Sequence, residues 1–384
     1  MNSNFFVNKT ASRLLTPFAL FLAGTISFAG TAAQALTFKF NYKPEMDVQA
    51  LTGFQIAADL WSSKLTDDVT VNLNIGFEQL ESNILGQASS NLSVFSYLDV
   101  KNALLADKKS ADDEIAVLNL PTQPFFDFFT TDQFGNFILD NNYTANNYYL
   151  AVNTANAKAL SLLVDDGSAD AQIQFNSDFN FDFDRNDGIG SGLIDFIGVA
   201  VHEIGHALGF VSGVDSVDYY SKPNGPAAPL DLNDYGIFSV LDLYRYSPLS
   251  VERGNLLLGQ PVLDLAVGDT SVFGSRPPYF SLDQGRTNLG LFSTGEFHGD
   301  QQQASHWKDD RFTGEFLGIL DPTYTSPVLD PLQPRPITAL DMRSLDVIGW
   351  DVVSGEKEVP EPSSLVGLMA LGLGFLFKRN QRCS

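Results

Sequence analysis

Two histidines stand four residues apart, with a glutamate directly after the first, in the stretch His202-Glu203-Ile204-Gly205-His206. On a helix, positions i and i+4 share a face, so both imidazoles can turn toward one ion while the glutamate stands near a water bound to it. A zinc ion in such a site lowers the pKa of its water to about 7, and a neighbouring carboxylate accepts the proton as hydroxide attacks a polarised carbonyl. His202 and His206 are therefore candidate zinc ligands, Glu203 is a candidate general base, and the chemistry is that of a metal-dependent hydrolase. Catalytic zinc takes three protein ligands plus water, so one ligand is still to be found.

The residues alone offer four places for it: Asp215 in "SGVD", the first later glutamate, Glu252, in the unpatterned "SPLSVERGN", His298 in "GEFHGD", and His306 in "ASHWKDD". A resemblance narrows them. "HEIGHALGF" resembles the metzincin pattern H-E-x-x-H-x-x-G-x-x-H, with Gly209 at the glycine and Ser212, whose hydroxyl is a poor zinc ligand, at the last position. "SHWKDDRFTGEFLGILDP" resembles the leishmanolysin branch of the metzincins, where a long insertion precedes a late His-Trp and a turn usually holding methionine. That resemblance implies His306 as the third ligand, Leu320 in the place of the methionine, and a peptide substrate. It also implies an α+β fold: a twisted mixed sheet packed on the active-site helix, with a long irregular insertion before the third ligand. Asp215 and His298 are then expected to be replaceable without loss of metal.

The elements that must position these groups are partly visible. Apolar residues at helical spacing up to about Leu65 give way to the alternating "VTVNLNIGF", a helix feeding a strand. "SYLDVKNALLADKKSADDEI" reads as a second helix, and "AQIQFNSDFNFDF" as a strand at a sheet edge. From Ser212 to about Asp300, Pro, Gly, Tyr and Ser dominate, which predicts a long irregular segment. Thr338 as N-cap, Asp341 three residues on and Gly349 as a stop predict a final helix. Asp182, Asp184, Asn186 and Asp187 are spaced like part of a calcium loop, but glycine falls one place late and Leu193 stands where an EF-hand has glutamate. Calcium is thus a secondary expectation there, and a solvated turn the first.

The two ends read as addresses. Lys9 and Arg13, the apolar run "LLTPFALFLAGTISFAG" and the small-residue "TAAQA" predict a secretory signal peptide over 1–35. The tail "VPEPSSLVGLMALGLGFLFKRNQRCS" resembles the bacterial PEP-CTERM sorting signal, which implies removal of 356–384 by a membrane-embedded sorting peptidase and delivery to the envelope or exterior. Its apolar run is too short for a comfortable permanent span. A metalloprotease domain over 36–355 remains, and the chain as a whole is most like exported bacterial zinc metalloproteases that carry such a tail. With 46 acidic against 23 basic residues, net charge −23, nucleic acid and anionic lipid surfaces would be repelled. The single cysteine, Cys383, excludes an internal disulfide. The rival expectation is a surface-attached binding or biofilm matrix protein whose zinc is structural or vestigial.

Overall fold

The computed structural model describes residues 36–80, 85–223, 225–268 and 276–353. The expected signal peptide and sorting tail lie outside the described residues. In chain order the first eight strands are β1 (Thr37–Asn41), β2 (Thr70–Glu78), β3 (Gly86–Ser90), β4 (Leu92–Ser96), β5 (Phe128–Thr131), β6 (Phe137–Asp140), β7 (Tyr149–Asn153) and β8 (Ala171–Asn176). The helices are α1 (Val48–Ser62), α2 (Tyr97–Asp107), α3 (Ala111–Asn119), α4 (Ala145–Tyr148), α5 (Thr154–Ala159), α6 (Phe196–Ala207), α7 (Val214–Tyr220), α8 (Pro248–Leu258), α9 (Asp310–Thr313) and α10 (Ala339–Val347). This is a mixed α/β architecture, compatible with the expected α+β class.

The main sheet has the order β1-β2-β8-β3, with β1, β2 and β8 parallel and β3 antiparallel to β8. The alternation over 171–176 therefore belongs to an inner strand, not to the expected edge. Its register explains why: Ile75 pairs Ile173 and Phe77 pairs Phe175, while Asn74 pairs Gln172 on the other face. One face is apolar and the other is a polar ladder, in which Gln87 Nε2 donates to Gln174 Oε1 at 3.3 Å. A half-solvated sheet gives every strand this alternation, inner ones included.

Helices α1 and α6 pack against each other and both against the apolar face of this sheet. Phe54 of α1, Phe175 of β8 and Phe196 of α6 meet with ring centroids 4.8–5.3 Å apart, each burial contributing about 1.5–3 kcal/mol. Gly53 makes the approach of the two helices possible, because a Cβ there would stand 2.4 Å from the Phe196 ring. The Trp61 indole donates to the Val201 carbonyl at 3.0 Å and fixes α1 along α6.

Two further expectations need correction. The single helix expected over "SYLDVKNALLADKKSADDEI" is two, because Lys108 leaves helical geometry and Ser110 starts α3 with a capping box closed by Asp113. The segment expected to be irregular from Ser212 contains α7 and α8; its Ser-Pro punctuation at 247–248 is a helix start, with Ser247 and Ser250 forming a capping box and Pro248 in the first turn. The final helix forms as expected, with the Thr338–Asp341 capping box. No helix among the described residues is long and apolar enough to cross a membrane.

Candidate metal centre

Helix α6 starts at Asp195, whose Oδ1 accepts from the Gly198 N–H at 2.9 Å. Of its twelve residues, only His202 and His206 are not buried. The chain thus passes a nearly apolar rod through the core and leaves one gap on it, where the two imidazoles emerge. His306 reaches the same gap from 100 residues further on. The three Nε2 atoms stand 3.1, 3.2 and 3.2 Å apart, and the histidines form a group able to hold a metal ion.

The protons on these rings decide the fit. His202 Nδ1 lies 2.8 Å from the Ile319 carbonyl, His206 Nδ1 2.7 Å from the Phe210 carbonyl, and His306 Nδ1 3.2 Å from the Gln303 carbonyl. A carbonyl only accepts, so each Nδ1 carries the hydrogen and each neutral ring leaves its Nε2 lone pair bare. Burial holds the rings neutral, depressing His202 to about 3 and His206 to about 4, and His306 well below the usual range. Three bare lone pairs facing one another repel unless a cation lies among them. Tetrahedral zinc with Zn–N of about 2.0–2.1 Å needs nitrogens about 3.3 Å apart, close to the spacing found.

Two of these carbonyls are delivered by identifiable devices. Gly209, at φ +120, reverses the chain after α6 and returns the Phe210 carbonyl to His206; a side chain there would be strained in this conformation. Asp341, which closes the capping box of α10, also accepts from the Trp307 indole at 2.8 Å and from the Ile319 N–H at 2.8 Å. One buried carboxylate therefore ties the neighbour of His306 to the residue that orients His202. Leu320 packs against α6 at Gly205, where a Cβ would lie 3.1 Å from both its methyls.

Asp215 is not a member of the histidine group, and its carboxylate is spent on the segment that leads to His306. Its Oδ1 accepts from the Ala304 N–H at 2.6 Å, and the Ser305 hydroxyl donates to its Oδ2. Ser305 Oγ in turn accepts from the Ser212 N–H at 2.8 Å. Asp215 clamps the two residues before His306 onto the segment that leaves α6, and desolvation raises its carboxyl to about 7. Nothing in the sequence could have marked this role, because the partners are 89 and 90 residues away. Ser212 is no ligand: its hydroxyl donates to Asp242 at 2.5 Å. Glu252 sits on α8, pointing outward to Arg276 at 2.7 Å. His298 pairs with Asp218 instead, Nδ1 to Oδ1 at 2.9 Å.

Glu203 is buried next to His202, and burial alone pushes its carboxyl up to about 8. A cation beside it would draw that value down by favouring the carboxylate. In the calcium-like loop, Asp182 is spent on the Asp184 and Gly190 N–H groups at 3.0 and 2.7 Å, and Asp184 on the Asn186 N–H at 3.0 Å. These carboxylates cap a turn, as the first expectation had it, and form no metal-binding group with one another.

A family model described as SPBPB7E8-like matches residues 163–227. The match takes in α6, both of its histidines and Asp215, and stops short of His306. No curated protein and no solved structure matches the chain.

Proposed function

We propose that this chain is an exported zinc endopeptidase of metzincin type, with His202, His206 and His306 as ligands and Glu203 as general base. The observation that carries the reading is the convergence of three proton-free Nε2 atoms, each with its Nδ1 hydrogen spent on a backbone carbonyl. Three imidazoles rather than four ligands leave a coordination position for water, and His202 and His206 keep that side partly open to solvent. Bound zinc would supply a Lewis acid for a carbonyl oxygen and an acidified water. The chain's own part is to hold the imidazoles neutral, to keep Leu320 and Trp61 packed behind α6 at Gly205, and to move one proton through the Glu203 carboxylate. Beside a bound metal Glu203 is favoured in the ionised form that can accept this proton, while burial keeps its proton affinity above that of a carboxylate in water. The peptide substrate rests on the resemblance to metzincins with a late third histidine, and export and tail removal rest on the two ends of the sequence.

Incubation of the purified chain with unfolded casein tests this. Cleavage should stop when a chelator strips the metal and return on adding one equivalent of zinc. Absent or chelator-insensitive cleavage at full zinc occupancy would instead favour the binding-protein reading, in which the zinc is structural.

A further inference from the structure

The described residues contain one other cluster of potential ligands, Asp309, Asp310 and Asp321, with one oxygen from each lying within 4.8 Å of the others. The three side chains are sealed from solvent, at 0%, 0% and 2% exposure. Two of them have a cation: Arg311 embraces Asp309, its Nε at 3.0 and 2.9 Å from the two oxygens, and Arg335 stands 4.0 Å from Asp321 Oδ1. Asp310 has none. The Ser326 hydroxyl donates to its Oδ2, and its buried Oδ1 has no hydrogen-bond partner at all. A buried carboxylate oxygen left without a hydrogen-bond donor is costly, so this position suits a cation placed directly against it.

We propose that Asp309, Asp310 and Asp321 form a second metal site, one that takes a hard divalent cation of the calcium class. The donors are all oxygens: three carboxylates, with the Ser326 and Thr323 hydroxyls already touching Asp310 and Asp321. An oxygen-only set suits calcium, whereas zinc goes to the imidazoles. Position gives the site its purpose. Asp309 follows His306 by three residues, and Asp321 follows Ile319, the acceptor for His202, by two. The Asp310 N–H already donates to Asp321 Oδ2 at 3.0 Å. A cation bound among these carboxylates would staple the segment that presents the third ligand to the segment that orients the first. The proposal thus places calcium at residues 309–321, apart from the loop at 182–187.

The test uses the full chain, passed over a chelating resin and reloaded with one equivalent of zinc. Calcium at about 100 times its dissociation constant should raise the melting temperature by about 5 °C. Terbium, as a calcium probe, should bind with a stoichiometry of one and be displaced by calcium. Asp310→Asn, which removes a buried charge, should melt no lower than wild type without calcium and should lose the calcium response. The double change Asp182→Asn with Asp184→Asn should keep that response. Absence of both terbium binding and a calcium shift in wild type overturns the proposal, as does an undiminished shift in Asp310→Asn. The readouts are ion binding and melting, so they stand or fall apart from any peptidase activity.

Discussion

The chain has four histidines, and the structure puts them to two opposite uses. At His202, His206 and His306 the Nδ1 hydrogen meets a neutral carbonyl, and the far nitrogen of each ring points bare at the other two. At His298 the same atom meets the Asp218 carboxylate at 2.9 Å and the Asp218 carbonyl at 3.1 Å. Asp218 also accepts from the Phe297 and His298 N–H groups at 2.8 and 3.0 Å, so the pair is a brace that folds one loop back onto α7. Imidazole is available in both places, but only the first offers converging lone pairs. Since metal-bound imidazoles donate their other N–H to carbonyls and carboxylates alike, it is this convergence, not the partner of Nδ1, that separates the two environments.

Several changes would break or sharpen that contrast. His306→Ala removes a direct metal bond and should cost zinc affinity by far more than a hundredfold, beyond the tenfold to hundredfold typical of supporting groups; metal content after dialysis measures it, and activity should vanish with the metal. Glu203→Gln should keep the zinc and lower the turnover rate by about 10²–10⁴, since an amide cannot take the proton; steady-state kinetics on zinc-loaded protein decides. Asp215→Asn loosens only the clamp behind His306, so zinc affinity should fall about tenfold to hundredfold in a chelator competition. His298→Ala should leave zinc stoichiometry and affinity unchanged, its cost appearing only as a lower melting temperature, because the buried Asp218 keeps its two backbone N–H donors but loses the imidazole. Equal zinc loss in His298→Ala and His306→Ala would erase the distinction between the two histidine environments.

The sequence displayed one half of this centre and hid the other. His202 and His206 are legible as a pair because a helix repeats its face every four residues, so their spacing is local. The final helix is legible for the same reason, its cap and stop lying within the element. His306 follows from the resemblance of "SHW" and "GILDP" to a known branch, not from any local spacing. The functions of Asp215 and Asp341 could not be read, because each binds partners brought close only by the fold: residues 304 and 305 for the first, 307 and 319 for the second. The placing of β8 at an edge failed because alternation reports a solvated face and says nothing of how many neighbours a strand has. The segment after Ser212 was misjudged because Ser247 and Pro248, residues that also begin turns, here begin α8.

X-ray absorption at the zinc edge, on the full chain loaded with one equivalent of zinc, tests the central claim most directly. Three imidazole nitrogens at about 2.0–2.1 Å and one further light atom are expected, with one imidazole lost in any zinc retained by His306→Ala and none lost in His298→Ala. A chain that retains no zinc, or a wild-type spectrum that His306→Ala leaves unchanged, would contradict the three-histidine centre.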